Sequence, residues 1–148
     1  MTERLIRLGL VIVALPTLYT GVWALIDPSG WFHNYPGFGS AWTAALGTYN
    51  HHLTIDTGAG FLAIGIGLLY ALFRFTRPTI RLALVVYLVF SIPHLVFHLQ
   101  NPSATLPASE KTIEMVLLIA AVVVPLVMLL GTMRMRTSRF GSERSLLR

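Results

Sequence analysis

The chain has no cysteine among its 148 residues, so disulfides, thiolate metal sites and thiol redox chemistry are excluded. Charge is also scarce. Only 11% of residues are charged, where a soluble domain carries about 25%. A large core cannot explain the deficit, because a small domain has too much surface to cover. Lysine is nearly missing: Lys111 stands alone beside ten arginines, a bias that points to a GC-rich bacterial genome. Neither a Gly-rich phosphate loop nor a nucleophile pattern is present. What remains is 55% hydrophobic, with a mean hydropathy of +0.70. A soluble enzyme, a nucleic-acid module and a disordered regulator are thereby excluded, and the long apolar runs indicate an integral membrane protein.

Four runs are long enough to span a bilayer: 5–26, 49–75, 82–99 and 112–133. The first could be read as a signal peptide cleaved after Val22-Trp23-Ala24, but its length favours a span. Ten of the eleven basic residues fall at one end of the predicted bundle. Arg4 and Arg7 accompany the first run, Arg74, Arg77 and Arg81 the second link, and five more arginines the tail 134–148. The positive-inside rule then puts both termini and the second link in the cytoplasm. The net charge of +5 thus follows from orientation and contact with anionic lipid, without nucleic acid. The expectation is all-α: a single membrane domain, an antiparallel four-helix bundle with a basic cytoplasmic tail.

The opposite end carries an extracytoplasmic loop over 27–48, rich in Gly, Pro and aromatics, which reads as an aromatic lid at the headgroup level. Ser40 is the expected cap of a short interfacial helix there. The second loop, 100–111, is expected to stay extended up to a helix capped near Ser109, with Glu110 in its first turn.

All five histidines (His33, His51, His52, His94 and His98) and four of the six acids (Asp27, Asp56, Glu110 and Glu114) belong to this same end. Ionisable groups within hydrocarbon are costly unless paired or hydrated. His52 and Asp56 are four apart and share a helix face, as do His94 and His98. At 1.5 Å per residue, Asp56, His94 and Glu114 all lie about 7–9 Å below their helix ends. Matched depth predicts that His52, Asp56, His94, His98 and Glu114 converge in one outward-facing pocket, with His51 as an additional candidate. Tyr19 or Thr20 would stand on its wall. Pro93 cannot donate to the Val89 carbonyl, which predicts a kink just before His94 and a freed carbonyl that a hydrated or ligand-filled pocket would satisfy.

Imidazole with carboxylate suits a transition metal, Zn or Fe, and bundle cores commonly house such sites. His94, His98 and Asp56 form a two-His, one-carboxylate set, and His52 would complete a tetrahedral zinc site. Haem is disfavoured, since only Lys111 is available near that end for propionates. The first reading is therefore a metal site serving redox or hydrolytic chemistry. The alternatives are a metal-free pocket that binds a quinone or lipid-like ligand or relays protons, and polar glue within an accessory subunit of a larger complex or homo-oligomer. The residues do not decide whether the protein is an enzyme.

Four short spans, the outer loop after Asp27-Pro28 and the Gly-rich stretch Thr57-Gly58-Ala59-Gly60 resemble small DoxX-like membrane proteins. The resemblance implies a four-helix bundle in a bacterial inner membrane, with some relatives linked to quinone-using redox complexes. The histidine set has no counterpart in that pattern, so no functional residue is carried over.

Overall fold

The computed structural model describes residues 2–134, which are helical wherever they are regular. Most of the basic tail expected over 134–148 lies outside the described residues. Four helices are long and apolar enough to cross a membrane: α1 (Glu3–Ile26), α3 (His51–Arg74), α4 (Arg77–Gln100) and α5 (Ala108–Gly131). A short α2 (Pro28–Asn34) and a 3-10 turn at Ala44–Leu46 lie between α1 and α3. Each long helix has 24 residues, about 36 Å at 1.5 Å per residue. That exceeds the ~30 Å hydrocarbon core.

The ends differ from expectation in informative ways. Pro78 sits in the first turn of α4, where its missing N–H costs nothing. The helix therefore starts at Arg77 rather than at 82 and carries Arg81 within it. Pro107 precedes α5 as its N-cap, with no side-chain cap from Ser109. The short helix of the first loop is earlier than Ser40 would place it. Asp27 Oδ1 accepts from the Gly30 N–H at 2.9 Å and Pro28 opens the helix, two strong start signals in sequence.

The bundle consists of two close antiparallel pairs, α1 with α3 and α4 with α5, joined by sparser α3–α4 and α1–α5 contacts. The α1–α3 approach depends on glycine. A Cβ on Gly21 would stand 2.5 Å from the Leu62 backbone nitrogen, and one on Gly65 would stand 2.7 Å from Leu18 Cδ2. Small residues permit this kind of backbone approach where lipid supplies no hydrophobic drive between helices.

Each pair is fastened at its arginine end by a side chain reaching a neighbouring helix terminus. Arg7 donates to the Leu72 carbonyl at 3.1 Å, with its guanidinium 3.7 Å from the centre of the Phe75 ring. Arg81 Nε donates to Thr132 Oγ1 at 2.9 Å, and that hydroxyl donates onward to the Leu129 carbonyl. Terminal carbonyls that the helix leaves orphaned are thus satisfied, and cations sit where the helix dipole favours them. Ile6, Leu10, Leu68, Ile80 and Leu84 fill this half of the bundle and are fully buried. The loop-bearing half is packed differently.

Candidate functional site: a central cavity with one buried carboxylate

Between the two helix pairs, in the loop-bearing half, lies a cavity of about 590 Å³ with walls from all four long helices and the first loop. Hydroxyl and aromatic side chains stand among aliphatic ones along it. Thr17 and Thr20 come from α1, Thr54 and Phe61 from α3, Tyr87 and Phe90 from α4. Thr17 and Thr54 return their hydroxyl hydrogens to the carbonyls four residues earlier, so their remaining polarity is acceptor character.

The loop closes over the cavity as a tied lid. Trp31 and Phe32 cluster with Ala24, Tyr35 and Tyr49 pack against that cluster, and Thr20 Oγ1 donates to the Tyr35 hydroxyl at 3.3 Å. Burial pushes the Tyr35 phenol above its ordinary range, so it stays neutral. Trp42 Nε1 donates to Glu110 Oε2 at 2.9 Å, fixing the lid to α5. Ser103 Oγ, from the second loop, donates to the Ala45 carbonyl at 3.3 Å.

His94, His98 and Glu114 are the His and acid residues of the wall. His98 Nδ1 lies 3.0 Å from Glu114 Oε1, and both side chains are about 10% exposed. Glu114 is the one buried acid among the described residues. The contact with His98 is made through Oε1. Three more rings extend the wall along α4 and across to α3. His94 meets His98 edge-on with centroids 4.6 Å apart, Phe90 stacks on His94 at 5.2 Å, and Phe61 meets Phe90 at 4.8 Å. Phe90, His94 and His98 are spaced four apart, one face of one helix.

The five residues expected to converge do not. His94, His98 and Glu114 line the cavity. His52 and Asp56 form a separate pair on the outside of α3, Nε2 to Oδ2 at 3.2 Å, with side chains 83% and 61% exposed. His51 is also exposed and lies with Nδ1 2.8 Å from the Tyr49 hydroxyl. His33 sits beside Ser29, Phe32 and Tyr49 on the lid. The reason is rotational. Gly58 and Gly65 turn toward α1, and Asp56 is about 160–180° around the helix from both at 3.6 residues per turn. Among the described residues no group of three or more His, Asp or Glu is arranged to hold a metal ion. The metal reading thus has no assembled ligand set there.

Of the two α1 residues expected on the wall, Thr20 is there. Tyr19 instead donates to the Pro36 carbonyl at 3.2 Å from the lid's edge. Sequence reasoning missed Phe61, Tyr87 and Phe90. The i, i+4 spacing of Phe90 with His94 and His98 is the signal that could have found one of them.

No family model matches this chain, and neither does any curated protein or solved structure.

Proposed function

We propose that the protein is a membrane-embedded binding protein whose central cavity takes up a lipophilic molecule from the bilayer, with the His98–Glu114 pair as its polar contact. The observation that carries this reading is the cavity of about 590 Å³ with the buried acid in its wall. Its size falls in the range of small-molecule sites, which are chiefly apolar with a few convergent polar groups. Entry from the lipid is supported by residues that line the cavity while half-exposed on the outside. Ile12 and Leu117 do so at the α1–α5 seam, Leu53 and Phe97 at the α3–α4 seam. These seams join the two close helix pairs and are the sparser contacts of the bundle.

The same proposal sets the protein in a bacterial inner membrane with both termini cytoplasmic, supported by Arg4, Arg7, Arg74, Arg77 and Arg81 at one end of the bundle. Kinship with DoxX-like proteins belongs to the proposal too and is supported by Asp27-Pro28 and Thr57–Gly60. No step of bond making or breaking is part of it.

The test uses N-phenyl-1-naphthylamine, a neutral apolar fluorophore, with the full chain purified in a non-ionic detergent. The expected result is saturable binding with energy transfer from Trp31 and Trp42, lost in Ala121→Trp, which fills the cavity from α5. Fluorescence that rises linearly with probe, equal in the wild type and in Ala121→Trp, would overturn the reading.

A further inference from the structure

Among the described residues the cavity wall carries one carboxylate and two imidazoles, but no Lys or Arg. Glu114 is 8% exposed, and His98 engages only one of its two oxygens. A carboxylate removed from water costs several kcal/mol unless a positive or donor group compensates it. Oε2 lies outside the Nδ1–Oε1 contact, at the wall of a chiefly apolar cavity, where a cation can pair with it. A ligand that offers only acceptors, such as a quinone, gains nothing from it, and an anionic amphiphile is repelled.

The rings beside the carboxylate have the complementary property. His98, His94, Phe90 and Phe61 form a continuous series from the carboxylate inward, with successive centroids 4.6, 5.2 and 4.8 Å apart. Phe97 abuts His98 at 5.7 Å. Aromatic faces attract cations, and more strongly where water is excluded. Neutral Tyr35 and the Thr hydroxyls add no opposing positive charge. Charge and aromatic lining thus favour the same ligand chemistry.

We propose that the cavity selects a lipophilic cation, held by Glu114 Oε2 and by the aromatic wall of Phe61, Phe90 and Phe97. This rests on the reading of the cavity as a binding site for membrane-resident molecules and names the class of molecule. His98 acts as a positioning residue that holds the carboxylate toward the cavity through Oε1. His94 continues the ring series.

Two ions of nearly the same shape and opposite charge decide it: tetraphenylphosphonium and tetraphenylborate, each titrated against bound N-phenyl-1-naphthylamine. The expected result is displacement by the cation at a concentration at least about tenfold lower than by the anion, a difference set by one charge pair in a low-dielectric site. Glu114→Gln should weaken the cation at least about tenfold and bring it toward the anion, each displacement being referred to the variant's own fluorophore affinity. Helical circular dichroism equal to wild type shows that the variant is folded. Phe90→Leu should weaken the cation about two- to fivefold through the lost ring alone. Equal displacement by both ions, or a cation affinity unchanged in Glu114→Gln, would overturn the cation assignment and leave the lipophile-binding reading standing. Absence of any saturable fluorophore binding would overturn both.

Discussion

His98 Nδ1 lies 3.0 Å from Glu114 Oε1, and through that contact α4 and α5 share a buried polar link inside an otherwise apolar wall. Both groups are buried, so removing one strands the other. Glu114→Ala and His98→Ala should each destabilise the protein by about 1–3 kcal/mol, the cost of a buried polar group left without its partner. The double variant should cost less than the sum of the two singles. Thermal unfolding in detergent, followed by helical circular dichroism, measures all three. Strict additivity would mean that the two side chains do not interact.

The second His–acid pair should behave otherwise. His52 and Asp56 are mostly exposed, and an exposed i, i+4 pair contributes little. His52→Ala and Asp56→Ala should each change stability by less than about 0.5 kcal/mol. They should also leave fluorophore binding in the cavity unaltered. A loss of binding in Asp56→Ala would return Asp56 to the site.

These contrasting pairs mark what could be read from the sequence. Depth was legible in part: helix rise alone put Asp56, His94 and Glu114 at one level with His98 above, and the structure gives His94, His98 and Glu114 to the cavity. Rotation was not legible from depth. His52 and Asp56 share a face, but which face turns inward is decided by Gly58 and Gly65 against α1, a contact made by another part of the chain. The spans were legible because each needs a run of apolar residues. Their ends were less so, since Arg77 and Arg81 read as a loop until Thr132 is known to receive the Arg81 side chain. The lid helix had its start written at Asp27-Pro28. The aromatic residues that follow do not show which of them pack inward.

Two glycines of the α1–α3 pair give opposite expectations. A methyl group on Gly21 of α1 would meet the α3 backbone at Leu62, which cannot swing aside. Gly21→Ala should therefore destabilise by about 1–3 kcal/mol through overpacking. Gly67 faces open space, and Gly67→Ala should stabilise α3 by about 0.5–1 kcal/mol through helix propensity. Unfolding midpoints that move in opposite directions would bear this out; a stabilised Gly21→Ala would contradict the close α1–α3 approach.

The lid is held to α5 by one indole. Trp42→Phe keeps the aromatic ring but deletes the donor to Glu110, a loss of about 0.5–1.5 kcal/mol, or 1.5–3 for a bond to a charged group. Amide hydrogen exchange at 42–46 should speed up while the interior of α1 stays protected. Exchange equal to wild type would show that the lid is held by its packing on Ala24 and not by this bond.

Orientation is the expectation that the arginines alone support, and it decides which compartment the lid faces. The proposal requires the link between α4 and α5 to be extracytoplasmic and the tail beyond α5 to be cytoplasmic. Because the wild type has no cysteine, single cysteines report without background. Ser103 is a poor probe, being 6% exposed and bonded to Ala45. Ala104 is exposed and serves instead. In intact cells a membrane-impermeant maleimide should label Ala104→Cys and not Ser138→Cys, and permeabilisation should expose the second. Labelling of Ser138→Cys in intact cells, with Ala104→Cys protected, would invert the protein in the membrane. The lid and the His98–Glu114 half of the cavity would then face the cytoplasm. The proposed entry from the bilayer would be unchanged, since the α1–α5 and α3–α4 seams face sideways whichever way the bundle stands.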